Sequence, residues 1–105
     1  MLIATSDTVA PHQIAETLGI VRGSTVRSKH VGTDIVASLK QVIGGELKGY
    51  SSLLAGAREQ ALDRMIEDAR ALGADAVVAV RIQTSTITQG ASEILAYGTA
   101  VKLKP

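Results

Sequence analysis

The chain has 105 residues, 46% of them hydrophobic, with no Phe, Trp or Cys, which is enough polymer for one domain and too little for a second independent core. Without cysteine there is no disulfide, no thiolate nucleophile and no Cys-ligated zinc or iron–sulfur centre. Eleven basic against ten acidic residues leave a formal charge of +1, too weak a field to steer polyanions, so neither nucleic acid nor membrane is an expected partner.

Residues 1–5 read as a short strand, and Ser6, Asp7 and Thr8 supply turn chemistry because their side chains bond to nearby backbone groups. The start lacks a basic segment followed by a long apolar one, and no run reaches the ~20 apolar residues of a membrane span. A cytoplasmic protein is expected. Residues 14–28 form an extended region around Leu18, Gly19, Ile20, Val21 and Arg22, rich in β-branched residues but without clean alternation.

Thr33 and Asp34 can cap a helix whose apolar positions Ile35, Val36, Leu39, Val42 and Ile43 recur at three and four residues, and Gly44-Gly45 ends it. A longer helix is expected after Tyr50, capped by Ser51 or Ser52. Its stripe is Leu54, Ala57, Ala61, Leu62, Met65, Ile66, Ala69 and Leu72, with charges mostly opposite. Gly73 sits where a carboxyl-terminal cap belongs.

Residues 76–86 alternate as a strand, with Val78, Val80, Ile82 and Thr84 on one face and Ala79, Arg81, Gln83 and Ser85 on the other. Thr88, Gln89, Gly90 and Ala91 make a turn. In the last strand, residues 93–104, Leu95, Tyr97, Val101 and Leu103 oppose Ile94, Ala96, Gly98 and Ala100. Both faces are apolar, whereas a two-layer domain covers one face with its helices. A second copy is the economical cover for the other, and a loop of the same chain is the alternative.

Four phrases in order carry a resemblance: Gly44-Gly45 with Gly49-Tyr50, then residues 57–61 (AREQA), then residues 72–78 (LGADAVV), then residues 97–101 (YGTAV). Together they resemble the YbjQ-like family, whose members carry a heavy-metal-binding description, over almost the whole chain. The chain departs from the family at Asp75, where Asn is common, and at Ala79, where Gly is common. The resemblance implies a single domain over residues 1–105. Its expected class is α/β (α+β), a two-layer domain with a small mainly antiparallel sheet packed on one long and one shorter helix. It also implies a dodecin-like subunit assembled as a pentameric ring, with no catalytic motif to carry over.

Chemistry-bearing residues are few. His12 and His30 are the two histidines, and neither has a second ligand at helical spacing, whereas a borderline metal takes three or four donors. One chain is too poor, but symmetry in a ring can bring together one His30 or one carboxylate from each copy. A divalent metal ion held this way is the cofactor considered, against an ordinary surface role for each histidine.

Gly44, Gly45 and Gly49 lack the Lys-Ser or Lys-Thr of a phosphate loop and read as a helix stop and tight loop. Tyr50, Arg58 and Glu59 are the candidate ligand-binding residues. The ring of Tyr50 can equally pack on the helix, and Arg58 can grip a carboxylate or phosphate, or pair with an acid of a neighbouring copy. Glu59, Asp63 and Glu67 recur at four-residue steps, as either a divalent-ion surface or a solvated face offset by Arg64 and Arg70.

The expectation is therefore a non-enzymatic homo-oligomer that binds a metal ion or small ligand between copies. The alternative is a structural or protein-interaction module. An enzyme with a site between subunits is the third reading, and it would draw on Tyr50, Arg58 and Glu59.

Overall fold

The computed structural model describes residues 1–28 and 46–105. Its elements are β1 (Leu2–Ile3), β2 (Ile14–Ser28), α1 (Glu46–Ala71), β3 (Ala76–Thr88) and β4 (Ala91–Leu103). The four strands form one sheet in the order β1-β3-β4-β2. β4 is antiparallel to both β3 and β2, while β1 runs parallel to β3, so the sheet is mixed. The result is a small α+β domain of a four-stranded sheet and, among the described residues, one helix. The shorter helix expected over residues 33–43 lies outside the described residues.

The helix begins earlier than its sequence suggests. α1 starts at Glu46, so Gly49 and Tyr50 lie within it, and neither Ser51 nor Ser52 is its cap. It ends where glycine permits. Gly73 has φ 75°, its N–H donates to Arg70 O at 2.9 Å, and the Ala74 N–H donates to Ala69 O at 3.1 Å. This left-handed stop satisfies two of the last carbonyls. Leu72 falls beyond the stripe and is exposed.

α1 packs on one face of the sheet, chiefly over β2 and β4. Ala57, Ala61, Met65 and Ala69 are buried there against Val21, Val80, Ile94 and Ala96, with Leu54, Leu62 and Ile66 packed at the margin. Among the described side chains of α1, three of the four that are buried are alanines, so the helix backbone approaches the sheet closely. A Cβ at Gly23 would run into Ala61 O and Met65 N, and would stand 2.7 Å from Arg64 C. Among the described residues no buried side-chain polar atom lacks a partner. Thr25, the one buried polar residue among the described residues, donates its hydroxyl to Ala57 O at 3.2 Å.

β3 departs from simple alternation. The register with β4 shifts between Val78 and Arg81, and Ala79 has φ 53°, a left-handed conformation that costs a non-glycine residue about 1–2 kcal/mol. Glycine at this position would carry no such cost. The bulge sends Val77 and Val80 to the helix face, whereas Ala76 and Val78 join Val101 on the opposite face. Val78 and Val80 therefore do not share a face as alternation predicts.

The division of β4 holds as read. Ile94, Ala96 and Ala100 line the helix side. Val101 and Leu103 face the other way, where Val9 and Ile14 pack on them. The loop before β2 thus roofs one end of the second face.

Candidate functional site

Beyond the Val9 roof, rows of residues cross the second face in register. One row is Ile20 and Thr99, the next Arg22, Tyr97 and Arg81, the next Ser24, Leu95 and Gln83. Tyr97 and Leu95 are half-buried, Arg22 and Arg81 exposed. Arg22 and Arg81 therefore stand on either side of Tyr97 on this face of the sheet. Arg81 is held from behind, donating through one nitrogen to Thr5 O and to Val80 O, each at 2.9 Å. Its remaining N–H groups suit a carboxylate or phosphate.

Arg58 and Glu59 are both exposed on α1. Tyr50 belongs to the same helix about two turns earlier, a rise of roughly 12 Å to Arg58. His12 lies exposed in the loop before β2, where its N–H donates to Val9 O at 2.8 Å. His30 lies outside the described residues. Among the described residues no three His, Asp or Glu side chains come together as a metal cluster.

The carboxylate row resolves into separate roles. Glu59, Asp63 and Glu67 are all exposed, and Glu67 accepts a hydrogen bond from Arg70 at 3.0 Å. That pair is exposed, so its contribution is at most about 1 kcal/mol. Arg64 does not offset the row. It reaches across to β2 and donates to Ser24 O at 2.6 Å.

Several side-chain bonds that tie these elements together are not predicted from the sequence. Asp68 Oδ2 accepts the Arg22 N–H at 3.1 Å, and with Arg64 it satisfies backbone groups on the outer side of β2. Asp75 joins the helix exit to the last strand, its N–H donating to Val101 O and its carboxylate accepting the Leu103 N–H, both at 2.9 Å. Gln60 accepts from Arg27 at 2.8 Å. No motif announces these pairs, because their partners lie far apart in the chain.

A family model described as "Putative heavy-metal-binding", that of the YbjQ family, matches residues 1–104. The chain is 58% identical to a UPF0145 protein of Methanosarcina acetivorans over 103 residues, covering 98% of this chain and 97% of the relative. It is 57% identical to a UPF0145 protein of Photobacterium profundum, covering 98% of this chain and all of the relative (100%). Among solved structures it resembles a protein of unknown function of the DUF74 family from Pediococcus pentosaceus, with a TM-score of 0.66 at 15% identity over 99% of this chain and 98% of that one. At that identity the likeness concerns the fold alone. Among the described residues, no helix is long and apolar enough to cross a membrane.

Proposed function

The chain belongs to the YbjQ family, and from that membership we propose that it is a cytoplasmic, non-enzymatic homo-oligomer, a pentameric ring of dodecin-like subunits that binds a divalent metal ion or another small ligand at residues contributed by several copies. The observation that carries the reading is the second face of the sheet. Val9 covers one end of it, yet Ile20 remains 77% exposed, and Tyr97 and Leu95 in the following rows are only half-buried. Apolar area removed from water is worth about 25 cal/mol per Å², so a copy laid on this face gains what the protomer leaves unused.

The family description supports the metal, and the donor count decides where it would sit. Zinc and its neighbours take about four ligands, and the described residues of one protomer hold no such set. A site would need His12, His30 or a carboxylate repeated by symmetry. For a small anionic ligand, Tyr50, Arg58 and Glu59 are the residues to examine at the contact between copies.

Equilibrium dialysis against Zn, Cu, Ni and Co, with native mass spectrometry of the same samples, tests the proposal. Saturable uptake at a fixed number of ions per assembly, reduced by His12→Ala or His30→Ala, is the expected result. Weak, unsaturable uptake indifferent to both changes would remove the metal and leave the assembly, while a single-chain mass at micromolar concentration would remove both.

A further inference from the structure

The bulge in β3 decides where Arg81 goes. Val77 faces the helix, so unbroken alternation would carry Arg81 to that same face. The irregularity at Ala79 gives the place to Val80 and turns Arg81 out, beside the segment whose Ala4 and Ser6 carbonyls accept the Val80 and Ala79 N–H groups. Bulges re-aim side chains in this way and are over-represented next to active sites.

A depression of about 530 Å³ opens at this point, lined among the described residues by Thr5, Val80, Arg81 and Ile82. That volume falls within the ~300–1,000 Å³ usual for small-molecule sites. The lining supplies a cation, a hydroxyl and two aliphatic side chains. Among the described residues the one ion pair joins Arg70 to Glu67, so none of their acidic side chains neutralises Arg81.

The guanidinium is fixed along one side. Nη1 carries two hydrogens and meets two acceptors, Thr5 O and Val80 O, each at 2.9 Å, while Nε and Nη2 have no acceptor among the described residues. Those two nitrogens form the edge whose N–H bonds lie parallel, matching the two oxygens of a carboxylate. The backbone already holds the group, so binding on that edge immobilises little that was free.

We propose that this depression binds a small organic carboxylate, its oxygens on the Nε–Nη2 edge of Arg81 and its apolar body against Val80 and Ile82. One positive charge calls for a monoanion, and aliphatic walls call for a hydrocarbon body. The lining comes from a single chain, so the site goes beyond the metal and the shared ligand considered above.

Titration of the ¹⁵N-labelled protein with hexanoate, followed by NMR through the Arg81 Nε–H resonance, tests the proposal. A saturable shift of that resonance and of the Thr5 and Ile82 amides is expected, with acetate about tenfold weaker because it leaves the aliphatic walls uncovered. Arg81→Lys keeps the charge and loses the fork, and is expected to weaken hexanoate about tenfold or more with circular dichroism unchanged. Ile82→Trp, at an exposed position, fills the depression and is expected to abolish the hexanoate shift.

No saturable shift with hexanoate, or an equal shift with sodium chloride at the same ionic strength, overturns the proposal. Tighter binding of hexyl phosphate than of hexanoate overturns the carboxylate class, and undiminished affinity in Arg81→Lys overturns the fork. An Arg81 resonance that moves with protein concentration and ignores hexanoate assigns the edge to a carboxylate of another copy and removes the small ligand. Should a variant fail to fold, the wild-type titrations decide.

Discussion

Gly23→Ala is expected to destabilise the domain by about 3 kcal/mol or more, at the upper end of what overpacking costs. The added methyl meets main-chain atoms of Ala61, Arg64 and Met65, so no side-chain rotation can make room. The helix must lift from β2, and the burial of Val21 and Thr25 beneath it suffers. In thermal melting this is a loss on the order of 15 °C for a domain of this size, or failure to accumulate folded protein. Gly56→Ala gives the opposite sign. Gly56 lies within α1 and its added Cβ meets nothing within 4 Å, so the change is expected to stabilise by about 0.5–1 kcal/mol through helix propensity. Equal effects from the two substitutions would show that helix propensity, not the close approach, governs both.

Met65→Ala is the second large effect, at about 2–5 kcal/mol. Met65 is fully buried, a long side chain among buried alanines of α1. Its buried neighbours on the helix, Ala61 and Ala69, cannot swing into the space, and the contact at Gly23 already holds the helix against β2, so much of the cavity persists. Met65→Leu conserves most of the volume and is expected to cost less than about 1.5 kcal/mol. Urea unfolding measures both, and a reduced midpoint with an unchanged slope assigns the loss to the native state.

Much of the fold could be read in the chain, with limits that are physical. The stripe from Ala57 to Ala69 is visible because small apolar residues recur at helical spacing. The first turns of α1 are hidden, since Gly49 and Tyr50 are weak helix formers and Ser51-Ser52 imitates a cap. The two apolar faces of β4 are apparent from alternation. The face change in β3 is not, because alternation carries no sign of a bulge at an alanine. Of the metal and ligand candidates, His12 stands exposed in the loop before β2, and Arg58 and Glu59 stand exposed on α1. Asp68 and Arg64 escape sequence reading because their bonds to Arg22 and Ser24 span 46 and 40 positions.

The seat of α1 on β2 also bears on motion. Conformational switches often work by sliding a helix a fraction of a turn over side chains that can change rotamer. Between Gly23 and the Ala61–Met65 backbone there is nothing to reorient, so helix and sheet must travel as one rigid body. Any gating in an assembly of this protein therefore belongs to movements of whole subunits against one another.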